Sequence, residues 1–187
     1  MSFTLFRIKF VVTFPFAALL SLIFLFDKSG LASPAVFAVL VHECGHLLAM
    51  ALCRVRPTHI KFVPCAVEIN RPRKVINTCA TFFISLNGSA VGFLMAALFF
   101  ACHNMVWGAV QLCFAVFNLL PINGLDGGEI VSMLSAERLR FLPALLNAFS
   151  IAILIALGAY IMINSGGIGI ALSALYLLIC AMLKTLE

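Results

Sequence analysis

His42-Glu43-Cys44-Gly45-His46 is the stretch whose reading decides the fold. It has the form H-E-x-x-H and lies inside an apolar run from Pro34 to Cys53. On a helix, positions i and i+4 share one face, a turn apart. His42 and His46 can therefore each offer an imidazole nitrogen to a single zinc ion, at roughly 2.0–2.1 Å. Glu43, one step round the helix, can act as general base toward water at the metal. Ionisable groups are costly inside a bilayer, so a His-Glu-His cluster within an apolar span marks a functional site rather than ordinary helix packing.

The composition around this stretch is that of a membrane protein. Of 187 residues, 64% are hydrophobic and 10% charged, and the mean hydropathy is +1.16. Soluble domains carry about 25% charged residues. The length suits a single membrane-embedded core over residues 1–187, with no separate soluble domain. The net charge of +5 does not indicate nucleic-acid binding, because the positive residues sit between apolar spans, where orientation signals belong. The seven cysteines form no C-x-x-C pair and read as small packing residues.

Six apolar segments are expected to span: Phe10–Phe26, Pro34–Cys53, Val75–Cys102, Met105–Leu120, Phe141–Ile163 and Ile168–Leu183. Most approach the ~17–25 residues a spanning helix needs. Arg7 and Lys9 flank the start. Arg54, Arg56, Lys61, Arg71, Arg73 and Lys74 follow the second span, Arg138 and Arg140 the fourth, and Lys184 the sixth. Every positive excess falls on one side if both termini and the 54–74 loop are cytoplasmic. Within that loop, Thr58–Val63 and Cys65–Asn70 alternate in hydropathy across Pro64, which predicts two short strands. The expected fold class is thus all-α and polytopic, with about six transmembrane helices and a short membrane-associated β-hairpin between helices 2 and 3. Gly88 and Gly92 form a G-x-x-x-G that reads as helix packing.

A catalytic zinc site normally takes a third protein ligand. His59, Glu68, His103, Asp126, Glu129 and Glu137 are the candidates. Asp126 is the best placed. It follows Asn118-Leu119-Leu120-Pro121-Ile122-Asn123-Gly124-Leu125, where proline and glycine break the fourth helix. An unbroken helix from Met105 would carry Asp126 roughly 32 Å down, against roughly 18 Å for His46 counted from Pro34. The aspartate can serve only if the chain bends near Pro121 and Gly124.

With both stretches in hand, the chain resembles the site-2 protease family of intramembrane zinc metalloproteases. The family pairs H-E-x-x-H in an early span with a distant N-x-x-P-x-x-x-L-D-G motif. Here these are His42–His46 and Asn118, Pro121, Leu125, Asp126 and Gly127. The resemblance implies His42, His46 and Asp126 as ligands of one zinc ion per chain, Glu43 as the catalytic base, and Asn118 as a holder of the substrate carbonyl or oxyanion. It also implies that the loop offers a substrate edge strand through Thr58, Ile60, Phe62, Val67 and Ile69, by β-augmentation. The chain departs from the family pattern at Gly124, where relatives often carry a second proline, and at Gly88-Ser89, where they often carry Gly-Pro.

The short six-span form, without PDZ or CBS domains, is similar to the branch containing the stage-IV sporulation protease. That implies a multi-pass protein of a bacterial cytoplasmic membrane. The implied partners are the lipid bilayer, a membrane-protein substrate such as a sigma-factor precursor or an anti-sigma factor, and a regulatory membrane partner. The alternatives are a catalytically silent relative and a metal or ion transporter, which would share the intramembrane His and Asp.

Overall fold

Thr13 and Pro15 mark where strand gives way to helix at the start of the chain. The computed structural model describes residues 2–5, 8–63, 66–70, 77–135 and 141–165. Strands β1 (Ser2–Leu5) and β2 (Ile8–Val12) precede helix α1 (Phe14–Phe26). The expected first span, Phe10–Phe26, is therefore corrected: Phe10–Val12 belong to β2. The apolar run hid the boundary, but Val11 and Val12 are β-branched and favour strand. Proline fits the first helical turn, where its missing N–H costs nothing. The Thr13 N–H and hydroxyl both donate to the Phe62 carbonyl, at 3.2 and 2.8 Å.

Asp27 then prepares the second helix, α2 (Ala32–Leu52). Its carboxylate accepts from Ser29 Oγ at 2.7 Å, Ala32 N at 2.8 Å, Ser29 N at 3.0 Å and Leu31 N at 3.3 Å. These are N–H groups that the start of a helix leaves without intrahelical partners. The Ser29 hydroxyl, followed by the Ala32 N–H, holds the Asp27 carboxyl below its ordinary pKa. At its far end α2 closes in a Schellman motif: Arg54 N donates to Ala51 O at 3.1 Å and Val55 N to Met50 O at 2.8 Å. Arg54 takes the left-handed position usually given to glycine, with φ +57°. Val55 packs against the buried Ala49, Met50 and Ile84.

Strands β3 (His59–Val63) and β4 (Ala66–Asn70) complete one four-stranded sheet in the order β1-β2-β3-β4. β1 and β2 are antiparallel, β3 and β4 are antiparallel, and β2 runs parallel to β3 with Phe10 opposite Ile60. The all-α expectation with a single hairpin is corrected by this second, N-terminal hairpin. Ser2-Phe3-Thr4-Leu5 and Arg7-Ile8-Lys9-Phe10 do alternate polar with apolar, but the second stretch runs without a break into the apolar run that continues to Phe26, which hides the strand.

Helix α3 (Thr78–Ala101) starts at Asn77, whose side chain accepts from Cys79 N at 3.4 Å. It ends in a second Schellman turn, with His103 at φ +58° and Asn104 N donating to Phe99 O at 2.9 Å. Helix α4 (Met105–Asn118) follows at once. α2 and α3 lie in backbone contact at Gly45, where an added Cβ would stand 2.8 Å from the Asn87 carbonyl oxygen and 2.9 Å from Gly88 Cα. Both helices are long and apolar enough to cross a membrane.

The chain forms two compact units, Met1–Phe117 and Asn118–Glu187. In the second, the non-helical stretch 119–125 leads into α5 (Asp126–Leu134), and α6 (Phe141–Ser165) follows. The sequence reading left residues 126–134 within a connection, so α5 is an addition to it. The expected sixth span over 168–183, the hairpin turn at Pro64-Cys65, Glu137, Arg138 and Arg140 lie outside the described residues.

Candidate metal centre

The residues at the centre of α2 are placed by apolar helix packing and turned inward. His42 and His46 keep 4% and 9% of their surface exposed, while Leu40, Leu48 and Leu52 on the same helix are open. The His42 and His46 rings meet edge to face, with centroids 4.5 Å apart. Their Nε2 atoms stand 3.0 Å from each other. Two Nε2 atoms on a tetrahedral zinc with ~2.0–2.1 Å bonds lie about 3.3 Å apart, so the pair is close to ligating geometry.

The tautomer follows from the neighbouring helix. His46 Nδ1 lies 2.8 Å from the Ile84 carbonyl oxygen of α3. A carbonyl only accepts, so Nδ1 carries the proton and Nε2 presents a lone pair. A ring N–H held by a backbone carbonyl is the usual second support of a metal-binding histidine. Below the pair lies Gly88. A Cβ there would stand 2.6 Å from His46 Cε1 and Nε2 and 2.8 Å from His42 Cε1, so the rings occupy the space a side chain would fill. Beside it, Asn87 Nδ2 donates to Gly45 O at 2.7 Å and ties α3 to the backbone between the two histidines. The Phe114 ring of α4 meets the His42 ring edge-on, with centroids 5.4 Å apart. This donor set and its cradle fit a zinc ion.

Two sequence signals fall on Gly88: the G-x-x-x-G pattern and its place where relatives often carry Gly-Pro. Ile84, Asn87 and Phe114 have none. A backbone carbonyl such as that of Ile84 has no sequence signature.

Glu43 follows His42 on α2 and is partly buried. Cys44 is exposed, with a free thiol. His59 opens β3, opposite Lys9 and Asn70, and His103 sits in the α3–α4 turn. Thr58 precedes β3. Ile60 and Phe62 are on β3, which is paired on both sides, so they cannot form the expected edge strand. The sheet edge on this side is β4, with Val67 and Ile69.

The second unit shows how the expected break is made. α4 stops at Asn118, which keeps 8% exposure. Gly124 turns at φ +90°, and Leu125 N donates to Ile122 O at 3.0 Å. The loop folds tightly onto the first turn of α5. A Cβ on Gly127 would overlap the carbonyls of Leu119 and Leu120, and one on Gly128 the carbonyl of Ile122. Asn147 of α6 secures the loop by accepting from Asn123 N at 3.1 Å. Asp126 is the first residue of α5. The chain thus reaches it through about 20 Å of α4 rather than the longer rise of an unbroken helix.

The fold is similar to that of a solved structure, the site-2 protease from Methanocaldococcus jannaschii, at 18% sequence identity and TM-score 0.63, over 98% of this chain and 95% of that one. What this likeness establishes is the fold. No protein-family model and no curated protein matches the sequence.

Proposed function

We propose that this protein is an intramembrane zinc metalloprotease of the site-2 type. It hydrolyses peptide bonds in, or at the edge of, transmembrane segments of membrane-bound substrates. The observation that carries this reading is the imidazole pair: two Nε2 atoms 3.0 Å apart, one ring fixed by a backbone carbonyl, over a glycine that leaves them room. Asp126, which the N-x-x-P-x-x-x-L-D-G motif pairs with H-E-x-x-H, completes a His₂-carboxylate ligand set for zinc in this reading. The shared fold and the paired H-E-x-x-H and N-x-x-P-x-x-x-L-D-G motifs support the same reading.

When bound, zinc supplies a Lewis acid for the scissile carbonyl and lowers the pKa of water at the site. The chain's own residues do the rest. Glu43 takes a proton from water and returns one to the leaving amine nitrogen. The Asn118 carboxamide N–H donates to the substrate carbonyl oxygen as negative charge develops there. The substrate presents an extended backbone, because a helical peptide bond is shielded by its own hydrogen bonds. The open edge of β4 is suited to hold such a strand by main-chain pairing. Water enters from the cytoplasmic side, where the basic loops put both termini and the 54–74 loop.

The test is Glu43→Gln in the purified full chain. Zinc content is expected to stay near one per chain while cleavage of membrane substrates stops. A proteomic comparison of membrane fragments from cells carrying each form identifies the substrates. Cleavage retained by Glu43→Gln would overturn the proposal.

A further inference from the structure

Two arginines flank a cavity just beyond the end of α2. The cavity, of about 550 Å³, is lined by Leu47, Ala51, Arg54, Val55, Arg56 and Pro57. Four of these are apolar and two are cationic, and none is acidic. Leu48 and Leu52, on the last turns of the same helix, are 54% and 66% exposed. A spanning helix therefore shows hydrocarbon-facing leucines up to its last residue and two exposed guanidinium groups immediately after it.

The backbone adds an independent observation. Arg54 holds φ +57° at the Schellman position, where glycine fits without strain and an L side chain does not. Arginine matches phosphate oxygens with two parallel N–H donors. An apolar wall beside two such forks suits a ligand that joins a phosphate to hydrocarbon.

We propose that this cavity binds the phosphate headgroup of an anionic phospholipid from the leaflet facing the end of α2. Arg54 and Arg56 hold the phosphate, and Leu47, Ala51, Val55 and Pro57 cover the adjoining glycerol and acyl carbons. The lipid anchors the turn between α2 and the β-sheet. This rests on the reading of α2 as a membrane span, and is independent of proteolysis.

The test is native mass spectrometry of the full chain released from micelles, with phosphatidylglycerol or phosphatidylcholine titrated in. The wild type is expected to retain phosphatidylglycerol preferentially, and millimolar inorganic phosphate not to displace it. Each arginine near an anionic headgroup is worth about fivefold in affinity. Arg54→Gly is therefore expected to lose about fivefold and Arg54→Gly with Arg56→Gln about 25-fold. Arg54→Gly also relieves the left-handed strain, so its lipid-free melting temperature is expected to stay level or rise. Equal retention of the two lipids, displacement by phosphate, or undiminished retention in Arg54→Gly would overturn the lipid site. Recovery of the chain in the soluble fraction after an alkaline carbonate wash would instead overturn the membrane reading, and the lipid site with it.

Discussion

Gly88 is the residue on which the candidate centre depends most directly. Its missing side chain is the space in which both imidazole rings lie. Gly88→Ala is expected to displace the rings and lower zinc content at least tenfold, measured by elemental analysis of the purified protein. Gly92→Ala, one turn on, meets the Ala115 methyl at 3.0 Å and is expected to loosen helix packing while keeping zinc. Gln111 makes a different prediction. It is 1% exposed, and both its carboxamide atoms are buried without a hydrogen-bond partner. Such a group costs about 1–3 kcal/mol. Gln111→Leu is expected to raise the unfolding free energy by that amount in a mixed-micelle titration. That His42 and His46 meet on one helix face was legible from spacing alone, because helical periodicity turns i and i+4 into neighbours. Gly88 and the Ile84 carbonyl were not, because which turn of a second helix meets the pair depends on packing between distant segments.

The elements were most legible where a run of apolar residues is long. α2 and α3 start and end within about three residues of the expected segments. The break after α4 was legible through Pro121 and Gly124, whose backbone chemistry is local. The N-terminal hairpin alternates in Ser2-Phe3-Thr4-Leu5 and Ile8-Lys9-Phe10 but merges with the apolar run that begins at Phe10, and the boundary at Thr13 carries no charge or glycine to mark it. Gly124 sits at φ +90°, so Gly124→Val is expected to distort the 119–125 loop and reduce zinc binding, again read by metal content. Asp27 offers a pH test. Its carboxyl is held low by the Ser29 hydroxyl and the Ala32 N–H. A group with a depressed folded-state pKa stabilises above the ordinary carboxylate pKa and loses that effect as pH falls through the lowered value. Asp27→Ala is therefore expected to lower the melting temperature at neutral pH, and the gap from wild type to close under strongly acidic conditions.

At the scale of the whole molecule, polar side chains share the interior with apolar ones among the described residues. His42, His46, Ser85, Ser89 and Gln111 are buried beside Ala49, Met50 and Ile84, while Phe83, Phe93, Leu94, Leu98 and Leu112 are open. A bilayer makes this arrangement stable, since hydrocarbon takes the place of an apolar core. The hydropathy of the sequence announced as much, but the contacts that join its segments could not be read from it. The parallel pairing of β2 with β3 has a consequence for crossing number. Lys9–Val12 lie beside His59–Phe62, so if the segments between them cross a bilayer, as proposed, the chain must return to the side it left. That is a parity condition: only an even number of crossings fits between residues 12 and 59. If α2 descends its full ~31 Å, the path from Thr13 to Leu31 must already have climbed as far, although α1 itself supplies only ~20 Å. On that reading the bilayer beside α1 is locally thin. Under the proposed function, a pinched membrane at that point would shorten the distance a substrate helix has to unwind before its backbone is exposed.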